Sequence, residues 1–388
     1  MRYILAKDAV LKWLEKPSVY ILKRDDLYEL DEEALAYLKS SAAEGGGSPV
    51  SGEFIKFCLE EGILIPSDMG DMPERTVAER PPVIMSPVPS LRYLELQITD
   101  RCNLRCRHCY IGESLQHELS VEHVRGILKE FEEMQGLRVM ITGGEPLLHS
   151  SVAAINAMLP DYFLRKVLFT NGLLLSDNQL VGLNFDEIQI SIDGMEHAHD
   201  ALRGKGTFSK AMDAVQRCLD KGIEVSVSTM VHAKNLGDFD AMDDLFRKKG
   251  IKDWTVDVPC ATGRLQENSL FQLTPEEGGK YLGYGFGGGI HASAPGFGCG
   301  LHLMSVSADG NASKCTFYRN RPVGHIDEGL RECWQRISPV RLQDLECRCA
   351  YLEACRGGCR YRAEQQGDAL GPDWYKCHYY GIIKPINE

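Results

Sequence analysis

Between Leu91 and Gly263 short apolar runs alternate with amphipathic segments, and this alternation constrains the chain more than any other feature. The runs are LELQI, RVMIT, KVLFT, IQISI, VSVSTM and WTVDV. Stretches of helical period lie between them. Examples are SVEHVRGILKEFEEMQG, with Ser120 as N-cap and Gly136 as stop, and TFSKAMDAVQRCLDKG, with Thr207 and Gly222 in those roles. Right-handed crossovers put the helices outside, so six such units predict an α/β parallel sheet curled into an open, partial (β/α)6 barrel. In parallel barrels the chemistry sits at the C-terminal ends of the strands.

Four motifs fall at those ends. CNLRCRHCY follows the first run, TGGEP (Thr142 to Pro146) the second and TNG (Thr170 to Gly172) the third, while SIDG (Ser191 to Gly194) ends the fourth. The first motif carries Cys102, Cys106 and Cys109 with spacing C-x3-C-x2-C. Three thiolates leave one coordination position open, which suits a four-iron four-sulfur cluster with one free iron. The alternative is a zinc site completed by His108 or His117, although zinc ligands usually come as two close pairs.

The cysteine triplet, with GGEP one unit later, resembles the radical S-adenosylmethionine superfamily. The resemblance implies that the free iron of a [4Fe-4S] cluster chelates S-adenosylmethionine. An electron, from a donor such as ferredoxin or flavodoxin, then breaks its S–C5′ bond to give a 5′-deoxyadenosyl radical. On this reading Gly143 and Gly144 leave room for the cosubstrate, and Glu145 accepts from its ammonium group. Ser191 and Arg203 match positions that contact the ribose or carboxylate, and His108 lies against the adenine. Asn171 and Asp193 complete the expected cosubstrate-binding set. The plain structural readings are a helix-terminal acid for Glu145, a cap for Ser191 and a surface ion pair for Arg203.

The chain has fourteen cysteines, and a second group fills its last hundred residues. Cys299, Gly310 and Cys315 are followed by CRCAYLEACRGGC, with Cys347, Cys349, Cys355 and Cys359, and then by Cys377. This pattern resembles the SPASM extension, in which seven cysteines hold two auxiliary iron–sulfur clusters. The resemblance assigns Cys299, Cys315 and Cys359 to an inner cluster with an open or non-cysteine site, and Cys347, Cys349, Cys355 and Cys377 to an outer one. The C-x-C step at Cys347 departs from the usual C-x2-C. A paired zinc ribbon is the alternative, and its spacings fit poorly. Cys58, Cys218, Cys260 and Cys333 lie outside both patterns and read as packing thiols.

The expected organisation is a winged-helix-like domain over residues 1–75, a proline-rich linker over 76–90, the partial barrel over 91–265, a bridging segment over 266–298 and the SPASM domain over 299–388. In the first, SVYILKRDDLYEL reads as two strands around an Asp-Asp turn and DEEALAYLKSS as a helix capped by Asp31. A flexible AEGGGSP loop follows, then a helix in GEFIKFCLEEG and a returning strand in ILIP. This domain carries nine Lys or Arg against fifteen Asp or Glu, which disfavours nucleic acid. It weakly resembles PqqD-like peptide-recognition domains, which bind a leader peptide as an added strand; a structural cap on the barrel is the alternative. The glycine-rich YGFGGGIHASAPGFG reads as a loose turn, since it lacks the GK[ST] ending of a phosphate loop.

No apolar run approaches membrane-span length and the net charge is −12, so a cytoplasmic protein without membrane or nucleic-acid partners is expected. The leading functional expectation is a radical enzyme that modifies a ribosomally made precursor peptide by forming a thioether or carbon crosslink or oxidising a side chain. Modification of a tetrapyrrole or other small cofactor precursor is the alternative within enzymes. A non-catalytic iron–sulfur or zinc regulator is the alternative outside them.

Overall fold

The computed structural model describes residues 3–43, 51–66, 86, 89–289, 291 and 295–383. Most of the expected AEGGGSP loop and proline-rich linker lies outside these residues. The N-terminal segment forms β1 (Tyr3–Leu5), β2 (Ala9–Trp13), β3 (Pro17–Ile21) and β4 (Asp26–Glu29), then helices Glu32–Ala43 and Gly52–Glu60, then β5 (Leu64–Pro66). Strands β2, β3 and β4 make an antiparallel sheet, and β5 returns to pair with β1. The Asp-Asp turn is present, with Asp25 at φ 63°. Asp31 caps its helix by accepting from the Ala34 N–H at 2.8 Å.

Six parallel strands follow: β6 (Tyr93–Thr99), β7 (Arg138–Gly143), β8 (Arg165–Thr170), β9 (Glu187–Ser191), β10 (Glu224–Met230) and β11 (Asp253–Asp257). They pair in sequence order. Helix Val121–Glu133 presents Val124, Ile127, Leu128 and Phe131 on one stripe, which packs with Leu94, Leu96 and Ile98 of β6. Its Ser120 cap accepts from the His123 N–H at 3.1 Å. The second capping expectation is corrected: Gly206, at φ 76°, is the N-cap, and Thr207 begins the helix with its hydroxyl donating to Gly204 O at 2.6 Å. The chain needs a left-handed residue at that entry, which glycine supplies without strain.

The cysteine-rich C-terminal region shares this sheet. Strand β12 (Leu303–Val306) pairs parallel with β6, and β13 (Asn311–Ser313) and β14 (Gly324–His325) extend it antiparallel to nine strands. The glycine-rich stretch touches the opposite edge, where Trp254 and Phe286 exchange backbone hydrogen bonds of 2.8 and 3.1 Å. Residues 290 and 292–294 of that stretch lie outside the described residues.

The N-terminal module docks on the barrel rim at the beginnings of β7 and β8. Val10, Leu14, Tyr20 and Leu22 form one apolar cluster with Leu137. The buried Lys12 ammonium donates to Gly136 O at 2.7 Å and Phe163 O at 3.1 Å. Arg165, with no exposed surface, donates to the carbonyls of Leu22 and Lys23 and pairs with Glu187 at 2.7 Å and Glu224 at 2.5 Å. A buried cation stripped of its acceptors costs several kcal/mol, so these contacts hold the module firmly to the barrel.

At the other end, one carboxylate joins the strand termini. Glu145, fully buried after β7, accepts from the Thr170 hydroxyl at 2.9 and 3.0 Å, the Asn171 N–H at 2.9 Å and the Leu147 N–H at 3.2 Å. Burial pushes its carboxyl up to about 7. Glu145→Gln turns one acceptor oxygen into a donor facing these donors, and is expected to cost about 1–3 kcal/mol in denaturant unfolding at pH 8. Because the folded pKa exceeds the unfolded one, the stability this group contributes is present below about 4.5 and is lost as pH rises through about 7. The glutamine variant should lose that slope across pH 5–8, which parallel melts would reveal.

Candidate active site

A cavity of 280 Å³ opens at the C-terminal ends of the strands. Its wall includes Cys102, Cys106, His108, Cys109, Gly143, Gly144, Asn171, Ser191 and Arg203. Seven of the nine remaining expected site residues are the cysteines of the C-terminal region, and the other two, Glu145 and Asp193, lie off this wall.

The triplet loop is held by backbone contacts to distant segments. Arg264 donates from Nε to Cys106 O and from its N–H to Cys109 O, both at 3.0 Å. The Arg107 N–H donates to Leu202 O at 2.9 Å, one residue before Arg203. A Cys102 sulfur that accepts from the Leu104 N–H at 3.4 Å orients the first thiol. Burial pushes the Cys102 thiol up to about 11 and also raises Cys106. Among the described residues no three His, Cys, Asp or Glu side chains gather at single-ion spacing. His117, offered as a zinc ligand, faces Asp100 at 3.7 Å instead.

Four of the expected residues also make contacts that hold the fold. Glu145 is spent on Thr170, Asn171 and Leu147, so its carboxylate ties the strand ends rather than lining the cavity. Asp193 is buried: its Oδ2 receives Arg203 Nε at 2.5 Å, and its Oδ1 receives the Met230 N–H at 2.7 Å. Burial alone would raise Asp193, but the paired Arg203 guanidinium outweighs it and holds the carboxyl well below its usual range. Asp193 thus aims Arg203, which does line the cavity. Gly143 and Gly144 are required by packing as well: a Cβ would come within 2.2 Å of Thr99 O and 2.3 Å of Arg101 O, so side chains are excluded by the neighbouring loop rather than by the cavity alone.

The other residues keep polar atoms at the rim. Asn171 Nδ2 donates to Asn103 Oδ1 at 2.8 Å, linking the third strand end to the triplet loop. His108 places Nε2 3.8 Å from Asp193 Oδ2 and leaves Nδ1 buried without a partner; burial lowers its ring to about 3, so it is neutral. A neutral ring with a free ring nitrogen suits stacking and polar contact with a bound heterocycle.

Sequence reasoning missed the barrel-facing side of the cavity. Glu95 on β6 receives the Thr316 hydroxyl, and burial raises its carboxyl. Gln97 donates to the Tyr110 hydroxyl at 2.9 Å. Tyr110 packs edge-on against Phe317 at 6.0 Å between centroids. The period-two alternation of LELQI carried the signal, since it sets Glu95 and Gln97 on the face opposite Leu94, Leu96 and Ile98.

The C-terminal cysteines fall into two neighbourhoods. Cys299 and Cys359 are close enough to Cys315 for their charges to be felt there, and Cys347, Cys349 and Cys355 stand likewise around Cys377. The Gly357 N–H donates to the Cys355 sulfur at 3.3 Å. Burial raises Cys299, Cys315, Cys347, Cys355 and Cys377, as it does Cys102 and Cys106.

Comparisons agree with this geometry. Residues 96–246 match the Radical SAM superfamily. The chain is 24% identical over 331 residues to the Fe-coproporphyrin III synthase of Methanosarcina barkeri, covering 69% of this chain and 82% of that protein. It is 28% identical over 323 residues to the mycofactocin maturase MftC of Mycolicibacterium smegmatis, covering 72% and 81%. The crystal structure of Streptococcus suis SuiB bound to precursor peptide SuiA superposes with TM-score 0.65 at 14% identity, covering 96% of this chain and 99% of that one. No helix among the described residues is long and apolar enough to cross a membrane. With the cysteine triplet at the strand ends of the parallel-sheet core and the cysteine-rich extension on the same sheet, the chain is a radical SAM enzyme with a cysteine-rich C-terminal region.

Proposed function

We propose that the chain modifies a ribosomally made precursor peptide with S-adenosylmethionine as cosubstrate. Cys102, Cys106 and Cys109 would hold the [4Fe-4S] cluster, and the bound cluster supplies the electron for cosubstrate cleavage. Arg203, with Nε fixed by Asp193, has its terminal amino groups for the cosubstrate carboxylate. Ser191 and Asn171 supply hydroxyl and amide groups at the rim, the strand-end backbone at Gly143 and Gly144 accepts from the ammonium group, and His108 offers a neutral ring to the adenine. Cys299, Cys315, Cys359 and Cys347, Cys349, Cys355, Cys377 would hold two auxiliary clusters, and a small electron carrier such as ferredoxin or flavodoxin would reduce the system.

The observation that carries this reading is the single cavity bounded on one side by the triplet and on the other by Glu95, Thr316 and Phe317. Thr316 directly follows Cys315, so a substrate in that cavity lies between the two cysteine regions. The likeness to MftC favours a peptide over other substrates. The likeness to the Fe-coproporphyrin III synthase supports the second reading, modification of a tetrapyrrole side chain. A non-catalytic regulator is set aside by the enzyme family.

The N-terminal module supplies an edge for a leader peptide. Among the described residues no strand pairs with the outer side of β4. The Leu30 N–H donates inward to Pro17 O at 2.8 Å, so by alternation the Leu27 and Glu29 N–H groups point outward. Strand β2, at the other edge, is buried and holds Lys12 against the barrel. An added strand along β4 is the mode by which such an edge binds an extended peptide.

Replacing Cys102, Cys106 and Cys109 together by alanine should remove about a third of about twelve irons. It should also abolish 5′-deoxyadenosine formation with dithionite, with the remaining iron still visible by Mössbauer spectroscopy. Cosubstrate cleavage by the triple variant would refute the cluster assignment. Glu29→Pro deletes one outward donor at a position an edge strand tolerates. It should weaken binding of full-length precursor by about threefold to tenfold, while substrate-independent S-adenosylmethionine cleavage stays at the parent rate. Undiminished precursor binding would mean the leader does not pair with β4, and a tetrapyrrole turned over without any peptide would favour the second reading.

A further inference from the structure

Four cysteines fall outside both sequence patterns, and three of them sit as packing thiols do. Cys58, Cys218 and Cys333 each belong to an apolar cluster of buried side chains. Cys260 is equally buried, at 5% exposure, yet belongs to none of these clusters. Its thiol lies near that of Cys359, the side chain that acts on it most strongly.

The backbone on both sides of Cys260 enforces this approach. The Ala261 N–H donates to Gln365 Oε1 at 3.2 Å, and Gln365 Nε2 donates back to Ala261 O at 2.7 Å. Arg362 donates to Val258 O at 3.3 Å and pairs with Asp257 at 2.9 Å. Gln365 and Arg362 lie on the helix Arg360–Gln365, whose N-cap residue is Cys359. Three separate contacts therefore clamp the segment after β11 to the helix that begins at Cys359. Cys359 stands in turn beside Cys315 and Cys299.

We infer that Cys260 is the fourth thiolate of the inner auxiliary cluster, joining Cys299, Cys315 and Cys359 from the end of the sixth barrel strand. This rests on the cluster reading proposed above and replaces an open inner site with a closed one. Four cysteines complete a four-iron cluster with one thiolate per iron, so no iron remains for a substrate atom. The inner cluster is then confined to moving electrons, and a substrate in the cavity is held by side chains alone. Position 260 also makes the barrel itself a ligand donor, so that the cluster bridges β11 and the C-terminal region.

The test uses the full chain bearing Cys102→Ala, Cys106→Ala and Cys109→Ala, reconstituted anaerobically so that only auxiliary clusters contribute. Cyanide, a probe for an iron without a thiolate, should leave the reduced EPR spectrum of this parent unchanged. Adding Cys260→Ala should make one signal cyanide-sensitive, and Cys260→Ser, which keeps the side-chain volume, should shift that signal's midpoint potential. Iron loss in the Cys260 variants, with none in Cys218→Ala, also supports ligation, because Cys218 is a buried thiol of the apolar type. Cys260 variants with full iron, an unshifted potential and no cyanide response would overturn the inference while leaving the cluster standing if Cys315→Ala sheds about four irons. If Cys315→Ala sheds none, the inner-cluster reading fails and the inference falls with it.

Discussion

Strand β6 is paired in parallel on both edges, with β7 on one side and β12 on the other. That double pairing fixes the register between the loop after β6, which carries the cysteine triplet, and the chain that leads from β12 to Cys315. Neither region can slide without breaking a ladder of backbone hydrogen bonds in an interior where water cannot replace them. The cavity between them is thus a property of the sheet. Glu95, near the middle of β6, accepts from Thr316, the residue after Cys315, in the turn that follows β13.

Around this frame the polar groups divide into those that hold and those that face the cavity. Glu145 and Asp193 sit one step back, each satisfied by backbone and side-chain donors, and each locating a residue on the cavity wall. Asn171 gains its position from the first and Arg203 from the second. Removing either carboxylate would disturb the wall without removing a wall residue, which is a general reason that motif acids are hard to assign from their position alone.

The barrel was legible in the sequence because strand and helix periods are local, and the triplet was legible because its spacing is local as well. The β12–β6 pairing was not, since nothing within either strand records a parallel neighbour some two hundred residues away. The reach of a carboxylate is equally silent: TGGEP does not say whether Glu145 turns toward the cavity or toward Thr170, and the contacts of the next strand decide it. Gly206 replaces Thr207 as a cap because the loop enters with a positive φ, a demand set by the preceding helix end. Cys260 was read as a packing thiol because it belongs to no motif, and only the clamp between Ala261 and Gln365 brings it to Cys359.

The docked N-terminal module sets a minimum reach. Its contacts fall at the beginnings of β7 and β8, whereas the cysteine triplet lies beyond the opposite strand ends. Six residues of β8 separate the two rims, about 20 Å at roughly 3.3 Å per residue. An extended chain anchored on the module must spend at least about six residues before it meets the cavity. Because Lys12 and Arg165 bury their charges in the junction, this span does not stretch or relax as it would across a flexible tether. On the peptide-modifying function proposed above, the molecule would therefore act as a ruler, with the first position altered on a bound chain counted from the anchor rather than recognised by its side chain.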